Sequence, residues 1–362
     1  MQMWKRIASW LVLSILTAGL IISCGLLTSN DSRKNSVGES SAPSNNSDCR
    51  VIRHDLGETE ICGQPQKVVA LSLHTLDLLL SLDMQPVGCT MTLNTHRGEV
   101  FDNPAQQIPY LGDRVTTQPV NLGDDHTPSL EKLLALKPDL IVGEGGRNAD
   151  EYKLLSEISP TLLWQNRGAK GQWQRSLRDI AAALEQEEKA EEVIKKYKAR
   201  IGDARNDLTD VVAVHPKLLL LGASRLSEGV YTISPESDLG ELIEGIGFQL
   251  ISPPSTKSNS NVPISVEALP MFNDADTIII LGYNFDVSDG LENPDQSTDE
   301  SMSAQLETHQ VKTIKQDWEE NAIAQSLRAS KENRVYFATY YKWNGLNGPI
   351  GAELVLKQLR QF

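Results

Sequence analysis

Apolar positions along this chain follow two rhythms. Short unbroken apolar runs bounded by Gly, Pro or Asp read as strands covered on both faces. Stretches with an apolar residue every third or fourth position read as helices. Residues 128–142 join the two. Ser129 is placed to cap a helix whose apolar face is Leu130, Leu133, Leu134 and Leu136. Pro138 cannot continue that helix, and Leu140, Ile141 and Val142 follow as a buried strand. Glu131 falls on the first turn, pointing away from the core.

This order has an echo. Ser265-Val266-Glu267-Ala268-Leu269-Pro270 and then Asp276-Thr277-Ile278-Ile279-Ile280 repeat the capping residue, glutamate, leucine and aspartate before an apolar strand. The second copy is one residue longer between glutamate and aspartate. Lys67–Gly88 and Lys217–Ile251 also match, as strand, loop and helix. The chain therefore divides into two related α/β units, each with an exposed glutamate at an equivalent place.

In the first unit, strands Val68–Leu71, Pro86–Cys89, Leu140–Val142 and Thr161–Trp164 alternate with helices Leu76–Leu82, Leu130–Leu136 and Tyr152–Ile158. That alternation implies a mainly parallel sheet covered on both faces. Helical tracts Trp173–Leu184 and Glu187–Leu208 follow. The second, at about 20 residues and roughly 30 Å, reads either as a surface helix or as a rigid strut between the units. The second unit carries strands Leu218–Leu221, Ile278–Leu281 and Arg334–Ala338, with helices Leu239–Ile246, Trp318–Leu327 and Ile350–Leu359. Asp286–Thr308 lacks periodicity and reads as an exposed loop. The expected division is 1–23 signal peptide, 24–48 tether, 49–170 first lobe, 171–212 connecting helices and 213–362 second lobe.

Length and composition leave this picture intact: 362 residues, 40% hydrophobic and 23% charged, allow two cores. A net charge of −14 argues against nucleic acid, which needs a positive face. The N-terminus adds an export signal: Lys5 and Arg6, then the apolar run Ile7–Ile22, then Ser23-Cys24. Cysteine after the cut matches the bacterial lipoprotein box and makes Cys24 the lipidation site; the rival reading is a plain transmembrane anchor. Residues 25–48, rich in Ser and Asn, read as a disordered tether reaching about 25–30 Å. Cys49 and Cys62 face each other if 54–57 is a hairpin loop, so they are either disulfide-bonded or two free thiols. Cys89 is left as a small core residue.

No catalytic motif is present: there is no Gly-x-Ser-x-Gly elbow, no phosphate loop and no His-Glu-x-x-His pair. Ligands of α/β sheets bind beyond the carboxyl ends of strands. Those ends carry His74, Arg147, Arg225 with Tyr231 soon after, Tyr283, and Tyr340-Tyr341-Lys342-Trp343. The candidate ligand-binding set is Arg147, Arg225, Tyr231, Tyr340, Trp343, Arg97 and His74. Guanidinium groups and aromatic faces suit a bulky, oxygen-rich anion. Each arginine has an ion-pair reading beside the ligand one. Only one of Tyr340 and Tyr341 can face the cleft if the backbone there is extended. His74 reads as a hydrogen-bonded wall residue or a metal ligand. His96, Arg97 and His126 lie in loops of undetermined direction, and no tight donor spacing supports a metal site.

Several stretches resemble the iron-siderophore substrate-binding proteins of ABC transporters. These are 65–71 with Leu76-Asp77 and Pro86-Val87-Gly88; 128–141; Ser159-Pro160-Thr161; the strut helix; 242–248; and Arg334-Val335-Tyr336 leading to Trp343 and Gly348-Pro349. The resemblance spans about Cys49 to Phe362. It implies an α/β fold of two Rossmann-like lobes joined by one long helix, the class III periplasmic-binding-protein type. It further implies binding of a ferric siderophore and its transfer to a permease driven by an ATPase; a monomer without a cofactor is expected, held by the Cys24 lipid anchor and facing the periplasm. One surface glutamate per lobe meets permease arginines in that family, which by motif gives Glu131 and Glu267. Cobalamin, haem or a bare metal ion is the alternative cargo, and an exported enzyme on the same fold a third reading. His74 and the 286–308 loop are not features of the family pattern.

Overall fold

The computed structural model describes residues 49–93, 96–253, 261–284 and 301–362. The export signal, Cys24, the tether and all but the end of the 286–308 loop lie outside the described residues.

Strands β1 (Cys49–His54) and β2 (Gly57–Cys62) form an antiparallel hairpin in which Cys49 pairs with Cys62 and Arg53 with Glu58. A Cys49–Cys62 disulfide closes its open end. Alternation places Ile52, His54, Thr59 and Ile61 on the inner face. There Thr59 Oγ1 donates to the Thr161 carbonyl at 2.8 Å, docking the hairpin on the first lobe.

The first lobe is built on β3 (Val68–Ala70), β4 (Gly88–Met91), β5 (Val120–Asp124), β6 (Leu140–Glu144) and β7 (Thr161–Trp164). They run parallel in the order β5-β4-β3-β6-β7. The order reverses at β3, whose neighbours β4 and β6 are reached by opposite crossovers. That switch point opens a crevice at the carboxyl ends of β3 and β6.

The second lobe uses β8 (Lys217–Ala223), β9 (Val230–Thr232), β10 (Gln249–Ile251), β11 (Val262–Ile264), β12 (Thr277–Gly282) and β13 (Val335–Thr339). The path is β11-β9-β8-β12-β13. β10 runs parallel along the first half of β8, and β9 antiparallel along its second half. At Gly282 a Cβ would stand 2.1 Å from the Gln310 carbonyl oxygen, so only glycine lets helix Met302–Glu320 lie this close to β12.

The echo has a physical basis. Asp139 Oδ2 accepts from the backbone N–H of Lys67, and Asp276 Oδ2 from that of Lys217, at 2.8 and 2.9 Å. Each aspartate's own N–H returns a bond to the same lysine's carbonyl. One carboxylate thus registers the central pair of strands in each lobe. The glutamate turns differ, because Ser129 caps an α-helix Leu130–Leu136 whereas Val266–Phe272 is a 3-10 turn with Pro270 inside it. Proline has no N–H to give to a helical ladder.

Helix Gln172–Leu184 and the 21-residue helix Glu187–Asp207 join the lobes. The long helix packs on Gln172–Leu184 and, further along, on Asp238–Ile246 and Pro349–Leu359 of the second lobe. It is the strut, buried along Ala190, Ile194, Tyr197 and Ala204.

Two expectations about elements are corrected. Leu134 is 59% exposed, so it does not belong to the apolar face of its helix; of that set only Leu133 is fully buried. Residues 302–308 are helical rather than loop, since helix Met302–Glu320 buries Leu306, Gln310, Ile314 and Trp318 at a spacing of one turn. The helix expected over Trp318–Leu327 is therefore the end of that one followed by a separate helix, Ala322–Ser326.

Candidate functional site

A cleft of about 450 Å³ lies between the lobes. Its first-lobe wall comes from carboxyl ends of strands: His126 after β5, Glu144 and Arg147 at β6, and Arg167 after β7. Its second-lobe wall is Ser237, Asn261, Tyr340, Asn344 and Asn347. Tyr340 and Asn344 sit one turn apart on helix Tyr340–Asn344, which follows β13 directly. Asn347 has φ +46°, a left-handed backbone that asparagine tolerates better than most residues. At the floor, Ala169 bridges to Ser237, and Asp238 N–H donates to the Gly168 carbonyl at 2.8 Å.

Arg147 donates from Nη1 to Asp125 Oδ1 at 2.7 Å, and its Nε lies 3.8 Å from Glu144 Oε2. Arg167 donates to Glu144 Oε2 at 2.6 Å and crosses the cleft to Asn347 Oδ1 at 3.1 Å and the Asn344 carbonyl at 3.4 Å. Burial alone would raise the Glu144 pKa, but the guanidiniums of Arg167 and Arg147 outweigh it and hold the carboxyl at about 2. Burial also raises the Asp125 pKa, with Arg147 and the Thr92 hydroxyl opposing. The arginines are thus fixed in place by carboxylates, and both line the cleft.

Behind Tyr340 stand Tyr231 and Tyr283, with ring centroids 6.3 and 5.9 Å from it. Tyr231 lies over Gly222, where a Cβ would come within 2.2 Å of the ring. Of the three tyrosines only Tyr340 lines the cleft. Tyr341 is buried, so the two adjacent tyrosines do part; the reason is a helical turn rather than an extended backbone.

The remaining candidates stand elsewhere. Trp343 is buried, donates to Gln358 Oε1 at 2.8 Å and stacks on Phe362; it is core and not cleft wall. His74 is also buried, and its Nδ1 donates to the Leu346 carbonyl at 2.7 Å, tying the lobes together behind the cleft. Burial lowers its pKa, favouring the neutral ring. Arg97 is exposed and outside the cleft. Arg225 is exposed in a separate, larger depression of the second lobe, of about 740 Å³, whose rim includes Glu228, Glu267, Asp317 and Glu320. That depression is open surface of one lobe and not the interlobe cleft.

Sequence reasoning missed Arg167, Glu144, Asp125 and Asn347. Arg167 follows β7, and the strand-end rule that gave Arg147 would have given it too. Asp124, Asp125 and His126 hold side-chain donors within 4.8 Å of one another. The Arg147 guanidinium bonded to Asp125 repels a second cation there, so the trio is a poor metal site.

The chain matches the model of the periplasmic binding protein family over residues 68–340, and it belongs to that family. These are binding proteins rather than enzymes, which removes the exported-enzyme reading. It is 27% identical over 343 residues to the Fe(3+)-citrate-binding protein YfmC of Bacillus subtilis, covering 94% of this chain and 93% of that one. It is 24% identical over 364 residues to the probable siderophore-binding lipoprotein YfiY of the same organism, covering 99% and 98%. Among solved structures, Staphylococcus aureus SirA complexed with staphyloferrin B superposes with a TM-score of 0.65 at 23% identity, covering 86% of this chain and 97% of SirA. The fold is the two-lobed α/β type of these neighbours. Among the described residues no helix is long and apolar enough to cross a membrane.

Proposed function

We propose that this protein captures a ferric siderophore in the interlobe cleft and delivers it to the permease of an ABC importer. The observation that carries the reading is the cleft itself: Arg147 and Arg167 on one wall, Tyr340 and two asparagines on the other, around a volume in the usual range for small-molecule sites. The relatives' names support a ferric chelate over cobalamin or haem, and the Arg147–Asp125 pair disfavours a bare cation. Export by the N-terminal signal, lipidation at Cys24, a tether to residue 48 and lobes at 49–170 and 213–362 complete the reading.

The test is titration of intrinsic fluorescence and melting temperature with ferric chelates. Trp164, at the end of β7, lies three residues before Arg167 and is the natural reporter. Saturable quenching is expected, with stabilisation of about 2.7 kcal/mol at a hundredfold excess over Kd. Absence of any response to ferric chelates would overturn the proposal.

Docking falls to Glu131 and Glu267, both exposed, each followed one turn on by an exposed apolar residue, Leu134 or Met271. The double variant Glu131→Ala, Glu267→Ala is expected to bind chelate unchanged and to abolish uptake in cells. Uptake at the wild-type rate would remove these residues from the docking surface.

A further inference from the structure

The charged groups of the cleft balance one another. Arg147 and Arg167 are matched by Asp125 and Glu144, and the described second-lobe wall adds no charge. Among the described residues, a polyanionic chelate entering here meets no excess of positive charge. Glu144 also has an oxygen to spare. Its side chain is only 7% exposed; Oε2 takes the Arg167 bond, while Oε1 is buried without a hydrogen-bond partner. The Ser72 hydroxyl is the side chain that helps keep Glu144 ionised, yet it stands beyond hydrogen-bond distance of Oε1 and meets Thr75 at the head of its own helix. Glu144 borders both the open cleft and a smaller cavity beneath it, lined also by Ser72, Asp125 and Tyr340. A buried, ionised acceptor with an unused oxygen gains most from a donor brought by the ligand.

We propose that Glu144 sets the specificity of the cleft: the chelate it takes has low net charge and presents a hydroxyl or ammonium donor to Glu144 Oε1. Its anionic oxygens face the free N–H groups of Arg147 and Arg167. This rests on the ferric-chelate reading above and narrows its cargo, excluding trianionic tris-catecholates and strongly anionic citrate complexes as preferred ligands.

The experiment measures Kd by fluorescence quenching for a ferric panel. Three members are linear trihydroxamates of the desferrioxamine B type ending in an ammonium, an alcohol or a trimethylammonium. The others are a trianionic tris-catecholate and ferric citrate. The ammonium or alcohol form is expected to bind about tenfold tighter than the trimethylammonium form, which keeps the charge but has no donor. The tighter of the two identifies the donor. Both should exceed the trianion about a hundredfold. In Glu144→Gln the donor preference should fall below about threefold and the trianion should bind about tenfold tighter. The wild-type series stands without that variant, should its fold suffer. Equal binding of the three trihydroxamates, or tightest binding of the tris-catecholate or of ferric citrate, overturns the inference alone. No binding of any member overturns the ferric-chelate reading and this inference with it.

Discussion

Arg167→Ala is expected to lower chelate affinity about a hundredfold, equivalent to roughly 2.8 kcal/mol. The guanidinium does three things at once. It presents N–H groups to the ligand, bonds Asn344 and Asn347 of the opposite lobe, and neutralises Glu144. Without it the Glu144 carboxylate is left buried with Arg147, at 3.8 Å, as its one close cation among the described residues. Breaking a buried pair from one side costs about 3–5 kcal/mol. Arg167→Lys should rescue little, because an ammonium cannot span the carboxylate and both asparagines as the planar fork does. The loss also has a pH signature. In the wild type Glu144 titrates near 2, below its ordinary 4.5. Its ionised form therefore contributes stability that is present above about pH 4.5 and lost as pH falls toward 2. In Arg167→Ala the largest opposing charge is gone, so that acid loss should begin at higher pH. Denaturant titrations from pH 3 to 6, beside calorimetric binding, check both parts. Affinity within threefold of wild type would remove Arg167 from the site.

The division of the fold was open to reading because it rests on local signals. Pro138, the apolar run after it and Asp139 mark a strand start that recurs at Asp276, and both aspartates prove to register their central strands the same way. Hairpin register followed from the position of its loop. What failed depended on contacts distant in sequence. Asp125 goes unnoticed until the fold sets it against Arg147 as that arginine's ion-pair partner. Trp343 reads as a cleft aromatic until helix Tyr340–Asn344 turns it toward Phe362 and Gln358. Leu134 looks like core because its spacing is helical, yet exposure there is set by what packs on the helix. Helix Met302–Glu320 was hidden because one buried position is Gln310 rather than an apolar residue.

The second large effect should come from Asp77, which is remote from the cleft surface. Its carboxylate, on the first lobe's opening helix, accepts from Ile350 N–H at 3.1 Å and Gly351 N–H at 2.7 Å. It thereby caps the closing helix Pro349–Leu359 from the opposite lobe, where Gly348 at the N-cap offers no side chain. Asp77→Ala orphans two buried donors and is expected to cost about 3 kcal/mol at pH 5, since each such group costs about 1–3 kcal/mol. Asp77→Asn keeps one acceptor and should cost about half as much. Burial pushes the Asp77 pKa up to about 7 from an ordinary 3.8, against the opposing helix N–H groups, Ser81 and Arg114. An acid raised on folding contributes stability that is fully present below about pH 3.8 and lost as pH rises toward 7. Asp238, also raised to about 7 by burial, adds to the same trend. Wild-type stability should therefore decline between pH 4 and 7, and Asp77→Asn should flatten part of that decline. Denaturant midpoints at pH 5 and 7.5 decide the matter: parallel curves for wild type and Asp77→Asn would mean that Asp77 is ionised throughout. Because the cap ties one lobe to the other's helix start, Asp77→Ala should also weaken chelate binding without touching the ligand, by freeing the lobes to change the width of the cleft.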